Sequence, residues 1–120
     1  MRWAIIFAGI SGAIMVGMGA YASHAAVGEQ GRAWLQTGAQ YGLWHSIALL
    51  AVAAPAAGVP SRLLTLSSAA FAAGILLFSG TLFLRALADL AWISKATPLG
   101  GLSFIAGWLL LALYGATRRD

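Results

Sequence analysis

The chain has 120 residues, 61% of them hydrophobic and 8% charged, and its mean hydropathy is +0.86. A water-soluble domain is about 45–50% apolar and about 25% charged, and one this small needs many polar residues to cover itself, so this composition makes lipid the solvent for much of the surface. The net charge of +4 comes from basic residues set between apolar runs, without the one-sided cluster that nucleic-acid binding needs, and the lack of cysteine excludes disulfides, thiol catalysis and cysteine-based zinc or iron–sulfur sites.

The first apolar run, Trp3–Ala22, carries no charge and is long enough to cross a hydrocarbon core of about 30 Å. Arg2 and the small residues around Tyr21 also resemble a cleaved signal, but the run exceeds the usual ~7–15 apolar residues of such a signal. It reads as a retained helix over residues 3–23. From His24 to Arg32 the chain is polar and holds Gly28, Glu29, Gln30 and Gly31, which reads as a loop.

A second span is expected over residues 34–54, ending near Pro55, Gly58 and Pro60. Its first half carries Gln36, Thr37, Gln40 and His45. Those groups must face protein, water or headgroups, because an unsatisfied polar group in hydrocarbon costs several kcal/mol. The third span, residues 63–85, lies between Arg62 and Arg85 and contains the hydroxyls of Ser67, Ser68, Ser79 and Thr81. Beyond it, Ala86–Ser94 reads as the same helix continuing into the interface, followed by a turn from Lys95 to Pro98. The fourth span covers residues 99–116, and Arg118, Arg119 and Asp120 close the chain.

The expected fold is thus an all-α membrane protein, a single four-transmembrane-helix bundle over residues 1–120. Placing the N-terminus inside puts Arg2, Arg62, Arg118 and Arg119 on the inner side, against Arg32, Arg85 and Lys95 outside. That balance favours an N-in/C-in orientation.

Two rows of small residues are suited to close helix packing: Gly9, Ala13 and Gly17 on the first helix, and Gly38, Gly42 and Ser46 on the second. Packing within one subunit is the expected use, and a surface for a second subunit is the alternative. Trp3, Trp34, Trp92 and Tyr114 fall near span ends, where headgroups favour amphipathic rings, whereas Trp44 and Trp108 lie deeper and should pack against other helices.

Candidates for chemistry are few. His45, one turn beyond Tyr41, is an ionisable group inside a span, and such groups are functional candidates by default. The simpler expectation is a hydrogen bond to a carbonyl or hydroxyl across the bundle. His24 with His45 is a weak metal or haem pair, because no carboxylate or cysteine supports it. Arg85 and Asp89 are four apart on an expected helix and suggest an interfacial ion pair, with Arg85 reaching outward, or a lipid-headgroup contact. There is no phosphate-binding loop, no His-Glu-x-x-His and no carboxylate pair. Neither catalytic residues, nor a bound metal, nor a cofactor is expected, and an enzyme is not expected.

Several strings together carry a resemblance: Gly19-Ala20-Tyr21-Ala22-Ser23-His24-Ala25, Gln40-Tyr41-Gly42-Leu43-Trp44-His45-Ser46, Leu77-Phe78-Ser79-Gly80-Thr81-Leu82, and Ala96-Thr97-Pro98-Leu99-Gly100-Gly101 continuing to Gly107-Trp108. In this order, over nearly the whole chain, they resemble the YgdD-like family of small membrane proteins, also called domain of unknown function 423. Gly42 departs from a histidine that many relatives carry, which leaves no histidine pair on that helix. The resemblance implies a four-helix, multi-pass protein of the cell inner membrane and supplies no activity.

The functional expectation is a structural or accessory subunit, with the lipid bilayer and either a homo-oligomer or a larger membrane complex as partners. Two alternatives remain open: a small transporter or channel whose polar track runs through Gln40, His45, Ser79 and Thr81, and a haem or metal binder through His24 and His45.

Overall fold

The computed structural model describes residues 1–56 and 61–118, and every regular element among them is helical. Helix α1 spans Arg2–Ala22, within a residue of the expected limits. Helix α2 spans Gly28–Ala56 and is the longest, at 29 residues. It starts well before the expected boundary. Gly28 takes a left-handed backbone (φ 72°) that turns the chain, and Glu29 then sits in the first helical turn, where the positive end of the helix favours an acid. The polar residues Glu29, Gln30 and Arg32 are those of an exposed first turn, and the loop shrinks to residues 23–27. Gly58 and Pro60, expected to mark the exit from this helix, lie outside the described residues.

Ser61 caps helix α3, Arg62–Gly74, by accepting a hydrogen bond from the Leu64 amide. The helix continues through a π-helical segment, Ile75–Gly80, into α4, Thr81–Ala88. Asp89 then adopts a left-handed conformation (φ 51°) that ends it. The chain does not continue as helix to Ser94, as expected. It reverses at Asp89–Leu90, makes a 3-10 turn over Ala91–Lys95, and enters α5, Thr97–Thr117. Pro98 opens this last helix instead of closing a turn, because a first-turn residue needs no amide hydrogen.

Among the described residues, three helical stretches are long and apolar enough to cross a membrane: Arg2–Ala22, Arg62–Ala88 and Ala91–Thr117. Helix α2 is longer but more polar, and it occupies the middle of the assembly, packed against α1, α3, the π-helical segment and α4, while α5 packs chiefly on α3. Among its buried residues, Gly31, Leu35, Gly38, Gly42, His45, Leu49 and Val52 follow alternating steps of four and three, which keeps them on one face, and Ala39, Ser46 and Ala53 widen it toward one side. The outer surface is apolar: Leu76, Leu102 and Leu109 are each more than 60% exposed.

Helix α1 contacts its neighbours through Ala4, Ala8, Ser11, Met15 and Ala22, all buried. The row Gly9, Ala13 and Gly17 points the other way; all three are exposed, and a Cβ on Gly9 or Gly17 would meet nothing within 4 Å. Packing of that row inside one subunit is therefore not what this structure contains. Gly38 and Gly42 do lie between helices. A Cβ on Gly38 would come within 2.8 Å of the Phe83 ring, and one on Gly42 would collide with Met15. Trp44, expected to pack inward, is 50% exposed, because its helix face looks away from the other helices.

Candidate functional site

The alternating steps on α2 bring His45 into a cage of rings from α3 and α5. Phe104 stacks on the imidazole, with centroids 3.6 Å apart and planes 12° from parallel. Phe71 lies 5.7 Å away and Trp108 meets the imidazole edge-on at 6.0 Å. Two glycines make room for these rings. A Cβ on Gly107 would sit 2.6 Å from Phe71, and one on Gly74 would strike Phe104, so each phenylalanine lies over a glycine of the facing helix.

Both nitrogens of His45 are engaged. Nδ1 lies 2.6 Å from the Tyr41 carbonyl oxygen, and Nε2 lies 3.0 Å from the indole nitrogen of Trp108. A carbonyl can only accept and an indole N–H can only donate. The pair therefore selects the tautomer with its hydrogen on Nδ1 and the lone pair of Nε2 facing Trp108. A metal or haem iron at either nitrogen would have to displace one of these bonds. His24 lies beyond the end of α1 and is exposed, whereas His45 is deep in α2 and buried, so the structure does not bring the two together. No group of three potential metal-ligating side chains occurs among the described residues.

The hydroxyls of the expected polar track join helices. Ser79 donates to the Gly38 carbonyl at 2.6 Å, tying the π-helical segment to α2. Thr81 bonds the carbonyls of Leu77 and Phe78, which the π-helical turn displaces from the regular ladder, and meets the Thr97 hydroxyl at 2.6 Å. Beside it Gly100 rests on the backbone of Leu77 and Phe78, where a Cβ would collide. Gln40 stands apart from these groups, exposed on the outer side of α2 in a groove against α1 that Gln36 shares. The structure therefore does not join Gln40, His45, Ser79 and Thr81 into one path.

Arg85 and Asp89 separate. The left-handed turn at Asp89 takes its side chain off the helical face that holds Arg85, and the expected ion pair does not form among the described residues. Arg85 turns inward: its guanidinium carbon lies 4.9 Å from the centre of the Trp34 ring, and Nε and Nη1 are buried without a hydrogen-bond partner.

Sequence reasoning missed several bonds whose members lie far apart in the chain. Ser11 and Ser46 meet at 2.7 Å between α1 and α2, Ser67 donates to the Gly107 carbonyl, and Ser103 returns a bond to the Ala70 carbonyl. A small or hydroxyl residue on a buried helix face was the available signal. Only the fold gives each its partner.

A family model described as "Protein of unknown function (DUF423)" matches residues 18–101. The chain is 41% identical to the UPF0382 inner membrane protein YgdD of Escherichia coli (strain K12), over 98% of this chain and 91% of that protein. It is 38% identical to a UPF0382 membrane protein of Haemophilus influenzae, over 91% and 89% of the two chains. With the UPF0382 membrane protein YwdK of Bacillus subtilis it shares 34% identity over 94% and 95%. No solved structure matches the chain. By a match that covers most of its length, and with three apolar helices of membrane-spanning length, the chain belongs to the DUF423 family and is a multi-pass inner membrane protein.

Proposed function

We propose that the protein is a non-enzymatic accessory subunit of the inner membrane that packs against a second copy of itself or against a larger membrane complex. It would do so as a four-span bundle with both ends on the cytoplasmic side. Helix α2 supplies the fourth span, with His45 and Ser46 buried against its neighbours and Gln36 and Gln40 left exposed. The excess of arginine beside the two ends and at Arg62 sets the orientation.

The observation that carries this reading is Gln40. It lies six residues past the start of the expected span at residue 34, about 9 Å along the axis at 1.5 Å per residue, and it is exposed. An amide at that depth facing lipid alone would lack hydrogen-bond partners, which costs several kcal/mol. The groove it shares with Gln36 runs along the side of α1 that carries Val16 and Ala20, near the unfilled row Gly9, Ala13 and Gly17. A helix laid there would satisfy the amides and approach the small residues closely. The hydroxyls of Ser11, Ser46, Ser67, Ser79 and Thr81, and His45, make helix-to-helix bonds, which supports a scaffold over a transport path.

Extraction in a mild detergent followed by mass measurement tests the proposal. An assembly larger than one chain is expected, weakened by Gln40→Leu. A stable, partner-free monomer of 12.4 kDa would overturn it.

A further inference from the structure

The geometry points to a second site, at the end of α4, that binds a phosphate oxyanion carried by a membrane phospholipid headgroup. Arg85 lies against a crevice of about 410 Å³ between α2, α4 and the start of α5, lined among others by Trp34, Phe78, Leu82, Ser94 and Thr97. The guanidinium stacks on Trp34, which serves the charge through the face of the group. The hydrogen-bond donors of an arginine lie in its plane and are not satisfied by stacking. Nε and Nη1 have no acceptor, and Asp89, the acid nearest along the chain, is turned away in its left-handed conformation and exposed. Two donors withdrawn from water without acceptors are costly to hold. An oxyanion in the crevice, met by a guanidinium that turns these donors toward it, accepts two parallel N–H bonds and removes that cost.

The neighbourhood favours the same sign of charge. The first turn of α5, at Thr97 and Pro98, borders the crevice, and the positive end of the helix favours an anion there although Pro98 itself offers no amide hydrogen. Lys95 precedes it by two residues. No acid among the described residues lines the crevice. Its floor, Phe78 and Leu82, is apolar and suits the acyl chains below a headgroup, so an amphiphile fits both parts. The lipid as source rests on the four-span reading, which puts the end of α4 at the headgroup layer; the oxyanion contact itself does not.

The test is native mass spectrometry of the full-length protein in detergent, with dioleoylphosphatidylglycerol in one arm and inorganic phosphate in the other. The wild type should retain one lipid, and Arg85→Leu should bind it on the order of tenfold more weakly. Arg62→Leu, which removes a distant positive charge, should leave binding unchanged. Arg85→Lys keeps the charge without the planar fork and should bind several-fold more weakly. This variant decides the matter if Arg85→Leu does not fold. Binding of inorganic phosphate that depends on Arg85, without lipid retention, would support the oxyanion contact and reject the lipid as its source. Equal binding by the wild type and the Arg85 variants in both arms would overturn the proposal, as would an equal loss in Arg62→Leu. The phosphate arm reads the contact even if the orientation of the bundle proves wrong.

Discussion

The indole N–H of Trp108 and Nε2 of His45, 63 positions apart in sequence, face each other at 3.0 Å, and this bond fixes which way the imidazole is turned. With the opposite nitrogen held by the Tyr41 carbonyl, the ring is a two-ended strut between α2 and α5. Replacing Trp108 by phenylalanine keeps an aromatic ring and deletes the donor. The buried Nε2 is then left unpaired, so Trp108→Phe should destabilise the protein by about 1–3 kcal/mol. Reversible unfolding in mixed micelles measures this. In a double-mutant cycle with His45→Phe the two losses should not add, and full additivity would show that the bond carries no energy.

Substitutions at glycine should separate by position. Gly100→Ala drives a methyl group into the backbone of Leu77 and Phe78, and Gly107→Ala places one 2.6 Å from Phe71. Each should cost about 1–3 kcal/mol, the usual range for an overfilled core. Gly9→Ala meets nothing and should leave the fold of a single chain intact. Unfolding midpoints of the three variants compared side by side provide the measurement, and equal midpoints would contradict the packing described.

Adjacent serines on α3 should respond with opposite signs. Ser67 donates to the Gly107 carbonyl at 2.8 Å, and Ser67→Ala should cost about 1 kcal/mol. The Ser68 hydroxyl is buried with no partner. Ser68→Ala removes that unsatisfied group and should be neutral or stabilising by up to about 1 kcal/mol. The same micelle unfolding assay distinguishes them, and a larger loss at Ser68 than at Ser67 would reverse the assignment.

The orientation lends itself to a direct measurement because the chain contains no cysteine. Single cysteines at Ala26 and Thr117, both exposed, can be labelled in intact cells with a membrane-impermeant maleimide. Ala26→Cys should react from outside, and Thr117→Cys only after the membrane is opened. The reverse pattern would show that the bundle is inverted.

The elements themselves were largely legible in the sequence. Runs of about twenty apolar residues locate α1, α3 with α4, and α5 within a few residues, because in lipid, length and hydrophobicity decide. Which face of each helix turns inward was not legible. For α1 the row Gly9, Ala13 and Gly17 and the row Ala4, Ala8, Ser11 and Met15 are comparably small and apolar, and a lipid-facing surface differs little in polarity from a buried one. Water would have marked the difference; hydrocarbon does not. The Arg85–Asp89 pair failed for a local reason: the partner, Asp89, is itself the left-handed residue that ends α4. His45 was identified as a candidate, but its partners come from other helices and carry no signal at short range.

The π-helical segment Ile75–Gly80 sets the rotational phase of one long helix. A turn with an extra residue advances everything after it by about 100° relative to an unbroken α-helix. The half before it, α3, can then read α5 through Phe71 and Gly74, while the half after it, α4, turns a different side toward α2. Removing one residue from Ile75–Phe78 would restore an even helix, yet it would swing Thr81 away from Thr97 and turn Arg85 off Trp34. A single inserted residue thus sets which side of the rod's second half meets α2 and the start of α5.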